Sequence, residues 1–431
     1  MLLVGGFSSI GRVSSVVGGS VRVSGLHPPP PVGSGLAISS QGRDGLLAEV
    51  VGASGNQIRA SLRGAPEGIG PGQAVTVTGP AVLSPGDGWL GRVLDPLGAP
   101  LDGKGPLPPG PVARPLRAAP PAAGTRARLG PRLDLGVRAL DGFATCRRGQ
   151  RLGLFAASGV GKSTLLSMLA RGAGTEVTVV CLVGERGREL REFIEDDLGP
   201  EGMARSVVVC ATSDAPPLLR RDAALAAMTV AEHFRDQGRQ VLLLMDSVTR
   251  FAMALREIGL AAGEPPTTKG YPPGVFAELP RLLERAGPAA DGCPGAITGL
   301  FTVLVDGDDH DEPVADAVRG ILDGHIVLDR AIGEGGRYPA IDVLRSLSRT
   351  VPGCLEPAER PVLLRARKIL ALHRDMADLV RLGAYRAGTD PAVDEAVRAA
   401  PRIEAVLAQR KDERGTVADT FARLAAAMEE A

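Results

Sequence analysis

The stretch LFAASGVGKST occupies residues 154–164. An apolar run breaks into a Gly-rich loop, and LLSMLARG then resumes a helical pattern, so the segment reads as strand, tight loop and helix. The spacing fits the phosphate-binding loop G-x-x-x-x-G-K-[ST], with Ala156 in the place of the first Gly. Gly159 and Gly161 let backbone N–H groups close around phosphate oxygens. Lys162 would reach the β- and γ-phosphates as a point charge, and the Ser163 hydroxyl would ligate Mg²⁺. The helix that opens here adds its positive end. Ala156, Ala157, Ser158, Gly159, Val160, Gly161, Lys162, Ser163 and Thr164 are therefore the candidate nucleotide-binding segment of an α/β P-loop core.

The flanking sequence supports that core. VTVVCLV runs into GERGRE at Gly184 to Glu189, and the helix behind it has Leu190, Phe193, Ile194 and Leu198 on one face. Gly199-Pro200 is expected to stop that helix. SVVVCATS, a long helix through Ala223 to Phe234, QVLLLMDS, GAITGLFTVLV and GHIVLDR follow. Apolar strands alternating with helices predict a mostly parallel sheet covered on both faces.

Residues 1–84 carry short alternating runs rich in Gly, Ser and Val, the pattern of a small all-β barrel. HPPPPVG must be a loop, because prolines cannot donate to a ladder. Residues 85–131, with Trp89 and Pro- and Gly-rich sequence, read as an extended linker between domains. The nucleotide-binding domain then covers 132–351. Residues 352–431 read as helical, with stripes at Ile369, Leu372, Met376 and Leu379 and at Val417, Phe421, Leu424 and Met428.

Composition excludes several classes. The chain has 431 residues, enough for two to four units. Acidic and basic residues balance at 49 each, so no broad nucleic-acid surface is implied. Aromatics at 3% argue against a base-stacking platform. The start lacks a signal-peptide pattern, and no run of apolar residues is long enough to span a membrane. The five cysteines are scattered without a CxxC pair, and Cys181 and Cys210 fall in core-like strands. The five histidines are isolated, so no metal constellation can be built from them. DGDDHDE, from Asp306 to Glu312, lacks EF-hand spacing and reads as a solvated loop.

Three further residues carry candidate chemistry. Asp246 ends the apolar strand QVLLLMD, where a nucleotide-binding core places the carboxylate that holds Mg²⁺ directly or through water; the competing role is a helix N-cap. Glu185 ends the strand VTVVCLV and could orient and deprotonate an attacking water, with Arg186 keeping it ionised. GERGRE alone leaves a surface ion pair equally open. An Arg in PAIDVLRSLSR (339–349) could act as an arginine finger in a neighbouring subunit or form a structural salt bridge.

GRVLDPLGAPLDG, GVRALDGFATCRRGQRLGLFAASGVGKST, LVGERGRE, LLLMDSVTRFAMALREIGLAAGEPPTTKGYPPGVFAELPRLLERAG and LDGHIVLDRAIGEGGRYPAIDVLRSLSR together resemble the flagellum-specific export ATPases, relatives of the rotary ATP synthase catalytic subunit. The resemblance covers nearly the whole chain. It implies a RecA-like ATPase core with an N-terminal β-barrel and a C-terminal helical domain, assembled as a homohexameric ring with ATP and Mg²⁺ at subunit interfaces. It implies that Lys162, Ser163, Glu185 and Asp246 hold the phosphates, the metal and the catalytic carboxylate, and that Arg349 is the trans-acting finger. Glu185 matters here because the non-catalytic rotary subunits carry Gln at that place. The implied partners are export-gate membrane proteins, a stator-like regulator, a central stalk protein, and export substrates with their chaperones. The implied location is cytoplasmic, peripheral at the inner face of the cytoplasmic membrane.

Three departures stand out. Ala157 replaces a Gly common in the flagellar loop. Arg360 falls where relatives place an adenine-stacking Tyr, and its guanidinium plane could stack instead. The family's longer N-terminal helical segment, which contacts the regulator, is expected to be short or missing. Among the rivals, the virulence-type secretion ATPase shares fold and chemistry. VRLGAYRAGTDPAVD, with Ala384 before Tyr385, favours the flagellar group. GYPPGVF and GERGRE argue against a rotary ATP synthase subunit. An RNA translocase like the terminator Rho would need a basic, aromatic barrel, whereas the first 84 residues hold only Phe7. Glu185 with Lys162 argues against a non-catalytic ring subunit.

Overall fold

The computed structural model describes residues 10–40, 43–157, 159–305 and 312–429. Ser158 and most of DGDDHDE, with His310, lie outside them.

Gly11–Val17, Ser20–Ser24, Gly35–Ser40, Arg43–Ser54, Gln57–Leu62 and Ala74–Gly79 close into a barrel in the order first, second, fifth, fourth, third, sixth. The period-two pattern explains it. In the first strand Gly11 and Val13 point in while Arg12 and Ser14 point out. Val21, Val23, Leu36, Ile38, Ile58 and Val75 fill the interior.

Among the described residues the central sheet holds eight strands in one path, with Gly287–Pro288 pairing off it, antiparallel to Ala296–Leu304. Its path runs Leu347–Ser348, Gly324–Val327, Arg151–Ala156, Ala296–Leu304, Gln240–Asp246, Val177–Glu185, Ser206–Thr212, Arg92–Leu94. All these pairings are parallel except the first. The inner strands are buried on both faces, as their continuous apolar runs require. Cys181 and Cys210 are core residues of two of them.

Residues 85–131 differ from the expected linker. Arg92–Leu94 pairs in parallel with Ser206–Thr212 as the outer strand of the sheet. Trp89, Leu94 and Leu116 are buried in the core of the nucleotide domain. The Arg92 guanidinium grips Asp102 at 2.8 and 3.0 Å and so folds the Pro- and Gly-rich segment back on itself. Burying these apolar side chains outweighs the extended preference of the sequence.

Gly199-Pro200 stops the helix after Leu198, with Gly199 at φ 63°, and Gly199–Ala204 forms a separate short helix. One helical expectation changes. In the helix Glu359–Arg381, Ile369 is buried, yet Leu379 is 45% exposed. The helix Val417–Glu429 meets the long one near Arg365, which donates to the Met428 carbonyl. The last turns run past that contact into solvent.

Barrel and core meet through buried charge. Arg221, on the helix Pro217–Asp236, donates to both carboxylate oxygens of Glu49 in the barrel, at 2.8 and 2.6 Å. Arg63 of the barrel reaches Glu49 and, at 3.0 Å, Asp222 on the helix. Two cations and two anions thus cancel out of contact with water. Removing one partner strands the others. Arg221→Met should therefore cost about 3–5 kcal/mol, read as a lower urea midpoint for the transition that separates barrel from core. A loss below about 1 kcal/mol would show that the cluster does not hold the junction.

Candidate active site

Three parallel strands deliver the site. The loop after Arg151–Ala156 turns through Gly159 and Gly161, at φ 80° and 90°, and Lys162 opens an eleven-residue helix. These left-handed angles, which side chains with a Cβ rarely adopt, are what the glycines supply. Ala157 and Val160 are buried under the loop, while Ser163 and Thr164 face solvent at the helix start.

The Lys162 ammonium donates to Asp246 Oδ1 at 2.6 Å and lies 3.7 Å from Glu185 Oε1. Asp246 Oδ1 also accepts from Thr302 Oγ1 at 2.7 Å. Asp246 is not the N-cap of the following helix. Ser247 is, accepting from the Arg250 amide at 3.2 Å.

Glu185 owes its aim to Gly184. The strand register slips between Val183 and Glu185, and Gly184 sits at φ 71°. Such a bulge re-aims the next side chain. Burial, and then the negative charge of Asp246, push the Glu185 carboxyl up to about 7, with Lys162 only partly opposing them. Glu189, hydrogen-bonded to it, is held below its ordinary value. Contrary to expectation, Arg186 does not keep Glu185 ionised: its guanidinium is 81% exposed and pairs with Glu189 at 3.1 Å.

Arg250 was missed by the sequence reading. Its aliphatic stem packs against Gly184, and its Nε is buried without a hydrogen-bond partner among the described residues. An orphaned cation beside a carboxylate of raised pKa suits an incoming anion.

A pocket of ≈ 630 Å³ adjoins the loop, lined by Gly161, Thr164, Met168, Tyr338, Pro339 and Arg410 among others. A Cβ on Gly161 would lie 3.6 Å from the Tyr338 ring. Arg360 is not among the lining residues. It is exposed at the start of the Glu359–Arg381 helix, and its Nε donates to the Leu355 carbonyl at 3.3 Å. The aromatic at this pocket is thus Tyr338, one of only three tyrosines, which could have flagged it.

Arg349 lies elsewhere. Its backbone N–H donates to Asp323, and Asp323 in turn to Arg151, the first residue of the strand whose far end carries the loop. Five residues at about 3.3 Å each put the loop about 16 Å away along the strand. The Arg349 side chain is exposed, with no ion pair among the described residues.

The site's residues also fit Mg²⁺. The Ser163 hydroxyl and the Asp246 carboxylate are hard oxygen donors, and this ion takes one or two protein ligands, substrate phosphates and waters. Among the described residues no cluster of three His, Cys, Asp or Glu could hold a metal unaided.

Comparison with known proteins matches this geometry. The family model described as "ATP synthase alpha/beta family, nucleotide-binding domain" matches residues 136–348, and "T3SS EscN ATPase C-terminal domain" matches 355–426. The chain is 56% identical to the flagellum-specific ATP synthase of Caulobacter vibrioides, over 96% of this chain and 94% of that one. It is 46% identical to the type 3 secretion system ATPase of Xanthomonas euvesicatoria, over 98% and 94%. The assembled EscN of enteropathogenic E. coli, in complex with its central stalk EscO, superposes with a TM-score of 0.88 at 39% identity, over 97% of this chain and 100% of that one. The phosphate loop, the carboxylates around Lys162 and these full-length matches agree: the chain belongs to the family of flagellum-specific and type III secretion ATPases, and it is an ATPase.

Proposed function

We propose that this ATPase is Mg²⁺-dependent, works as a homohexameric ring and energises flagellar protein export. The observation that carries the catalytic part is the Lys162 ammonium held between Asp246 and Glu185. Lys162 exchanges these carboxylates for phosphate oxygens when ATP binds, and the loop amides and the helix end add to it. Ser163 and Asp246 hold Mg²⁺, which neutralises charge on the β- and γ-phosphates. Glu185 accepts the proton of the attacking water; a carboxyl near 7 is matched to that task. Arg250, its Nε unpartnered beside Gly184, and Arg186 are assigned to the phosphates, and Tyr338 to the base. Arg349 is too far from its own loop and acts across a subunit boundary.

The comparisons lend support to the ring and to a central stalk partner, since EscN is described as assembled and bound to a stalk. The 56% identity to the flagellum-specific ATP synthase of Caulobacter vibrioides and Ala384-Tyr385 support the flagellar reading. Among the described residues no helix is long and apolar enough to cross a membrane. Docking at the inner face of the cytoplasmic membrane, on an export gate, with a stator-like regulator and chaperoned substrates, completes the proposal.

Lys162→Ala should lose nearly all turnover, and chelating Mg²⁺ should do the same to the wild type. Wild-type-like rates in the variant would remove the phosphate loop from the reaction. Glu185→Gln should bind ATP yet hydrolyse it at least about a hundredfold more slowly. The base is competent only when deprotonated, so kcat/KM should climb as pH rises toward about 7 and level off above it. A flat profile through that range would assign the proton to another group. Mixing Lys162→Ala with Arg349→Ala should restore part of the activity, because mixed rings contain interfaces pairing an intact loop with an intact finger. A finger in trans is worth about 10³ to 10⁵ in turnover. No rescue on mixing would place Arg349 outside catalysis.

A further inference from the structure

One wall of the pocket beside Gly161 comes from the C-terminal region, and two polar clamps brace it. The first is Gln409, only 5% exposed. Its Oε1 accepts from the Arg138 amide at 2.8 Å. Its Nε2 donates to the Gly136 carbonyl at 2.8 Å and to the Glu413 carbonyl at 3.0 Å. Its backbone N–H donates to the Tyr338 carbonyl at 2.8 Å. One residue thereby ties the 408–413 loop to the nucleotide domain and to the segment bearing Tyr338.

The second clamp is Arg337, whose side chain is 10% exposed. Its guanidinium donates to the carbonyls of Pro339 and Ile341, at 3.1 and 2.8 Å, and pairs with Glu404 on the helix Pro391–Leu407. The braced segment nevertheless presents a half-exposed ring, since Tyr338 is 52% accessible. A backbone held from both sides under an exposed aromatic is a preorganised surface, which lowers the ordering cost of whatever stacks on it. None of these bonds involves the phosphate loop, so bracing and phosphate binding are separable.

We propose that Gln409 and Glu404 are positioning residues for the nucleotide base. Acting through the Tyr338 backbone and through Arg337, they hold the wall against which base and ribose sit, and so set the KM for ATP rather than the hydrolytic step. The inference rests on the pocket being the nucleotide site, as proposed above.

Glu404→Gln and Gln409→Ala, each in the full chain, test it with two probes: Mg·ATP, and Mg·tripolyphosphate, which offers a phosphate chain without base or ribose. The KM for ATP should rise about five- to twentyfold, with kcat within about twofold. Inhibition by tripolyphosphate should stay at the wild-type level. An unchanged KM in both variants would overturn the proposal, as would equal weakening of both probes, which marks a general structural loss. If Gln409→Ala does not fold, Glu404→Gln decides the question, because the Glu404 side chain is 43% exposed and its amide keeps the shape. Lys162→Ala separates the two levels. Normal turnover in that variant would sink the nucleotide-site reading itself. A dead Lys162→Ala beside normal KM values in the other two would sink only this inference.

Discussion

A single ammonium group sets the constraint on which the nucleotide domain depends. Lys162 sits within 2.6 Å of Asp246 and 3.7 Å of Glu185, each contributed by a different strand. In half-buried surroundings such charges are tolerable only close together, because each offsets the desolvation of the others. That proximity demands parallel strands ending at one edge of the sheet, with the loop strand two places from the Asp246 strand and three from the Glu185 strand. The parallel pairing in turn demands helical crossovers, and the crossovers cover both faces. The site is a consequence of this topology as much as of its own residues.

The same requirement explains how Glu185 differs from Asp246. Both are strand-end carboxylates beside one lysine. Asp246 accepts hydrogen bonds from Lys162 and Thr302. Glu185 stands farther from the ammonium, past a bulge, and feels burial and the Asp246 charge first. Environment thus sets two similar strand-end carboxylates apart.

The barrel and the C-terminal helices are attached by polar contacts rather than by apolar surface alone. Glu49, Arg63, Arg221 and Asp222 lock the barrel to a helix of the core. Arg59 adds a second tie, donating to the Ala262 carbonyl at the end of the helix Val248–Ala262. On the other side Gln409 and Glu404 reach the segment around Tyr338. Hydrogen bonds and ion pairs are directional, so they fix the orientation of each unit on the core as well as its attachment.

The local parts were legible in the residues alone. Glycines at loop positions, the apolar strand runs, the barrel's period-two pattern and the helical C-terminus all follow from near-neighbour rules, and the structure agrees with them. Lys162, Glu185 and Asp246 were legible because each closes or follows an apolar run. Whatever depends on distant partners emerged only on folding. Residues 85–131 looked like a linker because Pro and Gly dominate them; burial of Trp89, Leu94 and Leu116 made them part of the core. Arg186 looked like the partner of Glu185 because it is next in sequence, yet on a strand end adjacent side chains diverge, and it pairs with Glu189 instead. Arg360 looked suited to the base, but Tyr338 occupies that pocket because chain folding brings it beside Gly161. Spacing along a chain encodes dihedral preference and periodicity. Which groups share a buried volume is settled only when the strands are stacked in order.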